Sequence, residues 1–425
     1  MKAENSDKWA LAEGGSERGA GFAEFVALIA FMLALTALSI DVMLPALPDI
    51  DGAFGLANPN DRQAVVTGYL FGFAGGQLLY GPASDRFGRK PALMAGLVLF
   101  VCGALAASAA PDFQLLLLAR MAQGLGGAAP RVISVAVVRD LFSGRQMARV
   151  MSFAMTVFIF VPVAAPAIGQ GILAAGPWRW TFYFVALFGL VIMAWSAARL
   201  PETHVSKLHV SKSRRSGEPL GRTAPGLAAA LRMTVTTGPT IGYTAASAFM
   251  FGCLMSYIGS AQQIFVDVYG LGSKFPLAFG AVASVMAVSS FANTRLVMRY
   301  GMRRISHGAL MGFIAASAAL TALAVAGQPP LLAFCGLIAL AFFMFGLIVA
   351  NFNAIAMEPM GEIAGTAASV VGFLTTAAAA ALGAVVGRLF DGSVLPLAAG
   401  FTALGLCALL CVVSVEGWRG VRRGE

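Results

Sequence analysis

The sequence predicts an all-α integral membrane protein, twelve transmembrane helices arranged as two six-helix halves. Three observations predict it: a composition too apolar for a water-facing surface, twelve apolar runs of membrane-crossing length, and a loop that recurs half a chain later. Of the 425 residues, 58% are hydrophobic and only 12% charged, with a mean hydropathy of +0.80. A soluble domain carries about 25% charged residues. The same figures exclude a disordered chain and a disulfide-stapled secreted scaffold. Five cysteines, all inside apolar runs and without a CxxC pair, read as small buried hydrophobes. His204, His209 and His307 fall in or beside loops, so no metal site and no cofactor is implied. The net charge of +9 belongs to basic residues scattered between apolar runs, which points to membrane topology and away from nucleic acid.

A helix needs about 20 apolar residues to cross the hydrocarbon core. Such runs cover 22–46, 63–83, 91–109, 112–137, 150–174, 178–198, 238–266, 275–297, 306–326, 330–353, 364–387 and 394–415. They are continuous and lack the two-residue alternation of a β-barrel. The first run is too long for a signal-peptide core and is expected to stay as an uncleaved helix. Segments on the N-terminal side of the membrane hold 23 Lys and Arg, against Arg62, Arg179, Lys274 and Arg388 on the other. That asymmetry predicts both termini in the cytoplasm. The chain then divides into a cytoplasmic tail (1–21), a six-helix half (22–198), a basic cytoplasmic loop (199–237), a second half (238–415) and a second cytoplasmic tail (416–425). Arg86-Phe-Gly88 between spans two and three returns as Arg299-Tyr-Gly301 between spans eight and nine, 213 residues on. Repeated halves of this kind occur in transporters that rock about a central site.

Asp41 stands within the first span, in Ser39-Ile-Asp41-Val-Met-Leu-Pro-Ala-Leu-Pro48. A charge at mid-helix costs roughly 2.5–3.5 kcal/mol and faces the bundle interior or water. It reads either as a structural carboxylate paired with a neighbouring helix or as a proton carrier, the second reading being preferred. Arg120 lies eight residues past Asp112, and Asp41 eight residues before Asp49, so both sit roughly 12 Å below the outer edge. Equal depth permits direct or water-mediated coupling; a purely structural ion pair is the other reading of Arg120. Arg131, eleven residues further along, is expected to anchor or pair near the inner face.

The stretch Gly81-Pro-Ala-Ser-Asp85-Arg86-Phe-Gly88-Arg89-Lys90 resembles the GxxxDRxGR[KR] loop of the major facilitator superfamily at every defined position. Gly88 permits a tight turn, and Asp85 can approach a helix N-terminus or an arginine. The resemblance implies a cytoplasmic gate in which Asp85 docks on the start of span eleven, near Gly365. Arg120-Met-Ala-Gln123-Gly124-Leu-Gly126 is similar to the family's RxxQGxG, whose arginine is assigned to proton coupling. Pro162-Val-Ala-Ala-Pro166-Ala-Ile-Gly169-Gln-Gly171 resembles the antiporter motif GxxxGPxxGG, with Ala165 in place of one glycine and Gln170 parting the last pair; close-packing glycines are its other reading. The SxDxxLPALP run, Arg139-Asp140 and Met360-Gly-Glu-Ile-Ala-Gly-Thr-Ala-Ala-Ser369 look like the Bcr/CflA drug-resistance branch. Met298 stands where Asp85 does in the first half, which predicts a plainer gate in the second.

In this superfamily spans one, four, seven and ten line the cavity, which makes Met43, Gln123, Tyr243, Tyr257, Gln262, Asn351 and Asn353 candidate ligand contacts. The 31 phenylalanines against 12 Trp and Tyr suit a greasy interior. The resulting expectation is a monomeric, proton-coupled exporter of amphiphilic drugs or small metabolites in the inner membrane, embedded in lipid and using protons. A symporter importing a nutrient is the alternative. No HExxH, GxSxG or Walker loop points to an enzyme.

Overall fold

The computed structural model describes residues 21–142, 144–203 and 227–423. The first tail up to residue 20, the stretch 204–226 with His204 and His209, and the last two residues lie outside the described residues. Twelve long helices occur among the described residues. They are α1 Phe22–Asp41, α2 Ala64–Phe87, α3 Arg89–Ala109, α4 Phe113–Leu141, α5 Gly144–Ala175 and α6 Arg179–Arg199, then α7 Gly238–Gln262, α8 Phe275–Tyr300, α9 Met302–Ala326, α10 Leu331–Met357, α11 Ala364–Arg388 and α12 Leu395–Arg423. No strand is present among them. Alternate helix ends gather on two faces. The one where α1 begins and α12 ends is called the termini face, the other the far face.

Ten helices are long and apolar enough to cross a membrane, and α5 adds a shorter apolar stretch, Phe160–Ala175. The exception is α2, which spends its length on small and polar residues: Gly68, Gly72, Gly75, Gly76, Gln77 and Gly81. Its glycines let it lie directly on α4. A side chain at Gly72 would meet the Met121 carbonyl, and one at Gly76 would meet Ala128 and the Leu125 carbonyl. Gly124 and Gly126 return the contact, the first against the Tyr69 backbone of α2 and the second against Gly96 and Phe100 of α3. Small residues are what allow membrane helices to approach so closely.

The contacts repeat. In the first half α4 packs on α2, α3 and α1, α3 on α6, and α1 on α5; in the second, α10 packs on α8, α9 and α7, α9 on α12, and α7 on α11. The halves meet through α2 with α11 and through α5 with α8, two pairs that exchange under the same two-fold. The recurring tripeptide has its structural counterpart here. Gly88 (φ 103°, ψ 155°) and Gly301 (φ 79°, ψ 161°) both take a conformation open only to glycine, so each half reverses direction at the same point.

The first span differs from the sequence expectation. It runs to Phe54 and not to 46, because it is broken. α1 stops at Asp41, a 3₁₀ turn follows over Leu44–Ala46, and a short helix resumes over Leu47–Phe54. Pro45 explains the break: it has no N–H to return to the Asp41 carbonyl and disfavours helical geometry at Leu44.

An added methyl at Gly124 has no room, so Gly124→Ala is expected to cost about 1–3 kcal/mol and lower the melting temperature in detergent. Gly171→Ala, with nothing within 4 Å of the added carbon, leaves it level or raises it slightly. Equal melting temperatures for the two variants would contradict this packing.

Candidate functional site

The break in α1 puts Asp41 at a helix end deep inside the bundle, 3% exposed. Its carboxylate makes no hydrogen bond or ion pair among the described residues. Arg120, on α4, is fully buried and engaged elsewhere. Nε donates to the Val65 carbonyl (3.1 Å), Nη1 to Gln123 Oε1 (2.6 Å) and Nη2 to the Ser39 carbonyl (3.3 Å). The guanidinium carbon lies 4.6 Å from the Tyr69 ring centre and 5.6 Å from that of Phe182. The equal depth read from the sequence has its counterpart in the Ser39 contact, two residues before Asp41, yet no ion pair joins the two side chains. Arg120 instead caps the carbonyl end of α1, where the helix dipole is negative. Gly169 of α5 closes the other side: a side chain there would strike the Val42 carbonyl, in the break itself. Pro166 is buried and Pro162 partly so, while Gly171 is exposed and touches nothing nearby.

The sequence-predicted cavity residues divide by depth. Met43 is buried in the break, and Gln123 holds Arg120 while its Nε2 has no partner. Tyr257 is buried against Phe279, Phe342 and Phe265, with ring centres 5.4, 4.9 and 6.4 Å away. Its hydroxyl is unpaired, and it lies within electrostatic reach of Asp41. Gln262, at the end of α7, also has a buried unpaired oxygen. The others sit toward the termini face. Asn351 donates to Asn293 Oδ1 (2.8 Å) and the Leu347 carbonyl, and Asn353 is half-buried. Tyr243 belongs to a different cluster altogether: its hydroxyl donates to Glu416 (2.9 Å) and shares a hydrogen bond with His307 Nε2 (2.9 Å). His307 is thus a buried residue of α9 and not a loop residue.

On the far face the halves are latched. Gln63 Nε2 donates to Gln263 Oε1 (2.6 Å) and to the Gly387 carbonyl (3.2 Å); Gln263 Nε2 donates to Asn60 Oδ1 (2.7 Å). Asn60 Nδ2 in turn reaches the carbonyls of Arg388 and Phe390 (3.2 and 2.8 Å). Arg62, 5% exposed, pairs with Asp267 at 3.0 Å, and Arg388 with Asp61 at 3.7 Å. Gln263 and Asp267 reach across because α7 continues as a π-helix over Gln263–Val268, a widened turn that re-aims side chains. Sequence reasoning read 47–62 as an outer loop with one basic residue and began the second span at Gln63. The signal it carried was a run of amides and charges set directly against an apolar span.

The termini face is held within each half. Arg89 pairs with Asp85 (2.5 Å) and Asp140 (2.9 Å), and Glu202 caps α3 by accepting from the Arg89 and Lys90 amides (2.8 and 3.0 Å). Lys90 Nζ donates to the Ala197 carbonyl. The second half repeats this around Arg303, paired with Glu358 and Glu416, both at 3.1 Å. The plainer second gate expected from Met298 therefore has acids of its own, supplied from α10's end and α12. Among the described residues Asp85 pairs with Arg89 and is not the side chain found at Gly365. Arg139 lies beside Gly365 instead, and Gly81 faces Ser369. Arg86 is exposed over the Phe87 ring. Across the halves this side has Gln77 donating to Thr376 (2.9 Å), and every inter-half ion pair among the described residues is on the far face.

Two pseudo-symmetric bundles, latched at one end around a broken helix with an uncompensated acid, define a membrane transporter of the two-half type. The chain belongs to the major facilitator superfamily, whose family model matches residues 29–384. It is 30% identical over 395 residues to the bicyclomycin resistance protein homolog of Haemophilus influenzae, covering 92% of this chain and 94% of that one. It is 29% identical over 262 residues to the multidrug resistance protein MdtL of Shewanella oneidensis, covering 61% of this chain and 63% of that one. A structure of the Escherichia coli xylose transporter XylE, partially occluded and inward-open, superposes with a TM-score of 0.70 at 14% identity, covering 92% and 97% of the two chains. The family is one of multi-pass membrane transporters for small molecules and not of enzymes.

Removing one amide should loosen the latch. In Gln63→Ala, spin labels at Ala57 and Leu389, one on each half, are expected to show a new, longer distance population. An unchanged distance distribution would mean that the amide chain does not hold the far face shut.

Proposed function

We propose that this protein is a proton-coupled exporter of amphiphilic small molecules, acting as a monomer in the inner membrane with both termini in the cytoplasm. The single observation that carries the proposal is the buried, unpaired carboxylate of Asp41 at the break of α1. An ionised acid in the bundle interior with no cation or donor beside it bears the full cost of desolvation. Taking up a proton removes that cost, and water reaching the site restores the charged form. A group with these properties can exchange protons only when the conformation changes its access to water. The basic residues on the termini side support the orientation, and the resistance proteins among the relatives support export over nutrient import.

In the latched state the far face is closed, so substrate enters from the termini face. Parting of the latch opens the interior outward, where substrate leaves and Asp41 takes a proton. Return to the latched state carries that proton inward, and it departs along the termini-face opening. Each charge moved inward draws about 2.3 kcal/mol per 100 mV of membrane potential. Arg120 keeps its place throughout because its donors are held by backbone carbonyls and Gln123. It holds the Ser39 and Val65 carbonyls and so fixes the level at which the break of α1 sits. Gly169 lets α5 ride on the broken segment of α1, coupling the break to the α5–α8 seam between halves.

The test is substrate-driven proton release in inverted membrane vesicles, using dansyl-phenylalanine as substrate. Asp41→Asn is expected to abolish it while the protein still inserts. Exchange at the wild-type rate would overturn the assignment.

A further inference from the structure

A cation inside a membrane span that has no partner is unusual, and α4 carries one. Arg131 is partly buried, and among the described residues it makes no hydrogen bond, ion pair or ring contact. It lies about 15 Å of helix from the end of α4 at Leu141. Asp41 is the only acid in the middle of a span; the remaining acids of the described residues sit at helix ends or beyond them. Among the described residues no carboxylate pairs with Arg131.

Its direction follows from helix geometry. Eleven residues separate it from Arg120, which at 100° per residue puts the two within about 20° of one face. Arg120 faces α1 through the Ser39 carbonyl, and Met121, Leu125 and Ala128 mark the α2 side. Arg131 points between them, toward the side of α4 that meets α1 and α2. Leu115 and Leu118, 43% and 61% exposed, mark the lipid side about 140–160° away. Val135, one turn beyond Arg131 and within about 40° of its direction, is 37% exposed.

The geometry points to Arg131 as a substrate-recognition residue for an acidic group: the ligands of this cavity are amphiphiles carrying a carboxylate or a comparable anion. A guanidinium offers five donors in a fork that matches a carboxylate, and here all five are unspent. The level of Arg131 is roughly 16 Å along α4 from that of Arg120, so an acid on Arg131 and a proton on Asp41 occupy separate sites. This inference deepens the exporter reading by naming its substrate class, and rests on it in that respect.

The experiment measures binding of dansyl-phenylalanine and its neutral amide, dansyl-phenylalaninamide, to the purified full chain in detergent. The wild type is expected to prefer the acid by about tenfold or more, as a charged hydrogen-bonded pair gives. Arg131→Gln should bring the preference within about twofold, whereas Arg131→Lys should keep a weakened preference. A merely structural role would weaken both probes together and leave their ratio alone. No wild-type preference for the acid, or a ratio unaltered in Arg131→Gln, overturns the inference. Should Arg131→Gln not fold, Arg131→Lys decides, since an unchanged ratio there also overturns it. Failure of the exporter reading would appear elsewhere, as dansyl-phenylalanine transport in vesicles insensitive to an uncoupler, with the binding ratio untouched.

Discussion

The contact between the Arg120 guanidinium and the Ser39 carbonyl is what the interior is built around. In lipid every backbone group a helix leaves unpaired must find a partner inside the protein. Pro45 breaks α1 at mid-depth and so exposes carbonyls where no water is guaranteed. Arg120 answers from α4, and by also bonding the Val65 carbonyl of α2 it fixes three helices at one level. The arrangement leaves Asp41 outside the network. Had Arg120 paired with Asp41, the acid would have been satisfied and its charge spent; bonded to carbonyls and Gln123, the cation leaves the acid unpaired.

The same economy explains the glycines around this point. Gly124 and Gly126 set α4 against α2 and α3, and Gly169 sets α5 against the break. A motif that looks like a signature in sequence is, in space, a set of notches that place one arginine, one amide and one broken helix. Gly171 falls outside this account, since nothing packs on it. The notches are rigid, so movement has to occur at the seams between halves, where α2 meets α11 and α5 meets α8.

Much of this was legible in the sequence. Length and apolarity identify spans because hydrocarbon imposes both, and the Gly88 and Gly301 repeats were visible because one backbone conformation admits only glycine. Asp41 stood out because a charge in oil needs a reason. Partnerships were not legible. The latch joins Asn60 to Phe390 and Gln63 to Gln263 across 330 and 200 residues, and single amides carry no mark of which distant amide they meet. Tyr243 was read as a cavity candidate from its helix alone; its hydrogen-bond partners, His307 and Glu416, come from α9 and α12. Likewise the broken helix extends the first span past 46, because Pro45 interrupts the geometry while the apolar pattern continues.

The central claim is that Asp41 is the group whose protonation changes during the cycle. Infrared difference spectroscopy of the reconstituted protein, taken across a pH titration, reads the carbonyl stretch of a buried protonated carboxyl directly. The account predicts such a band in the wild type, changing with pH, and its absence from Asp41→Asn. The same band persisting in Asp41→Asn would contradict it.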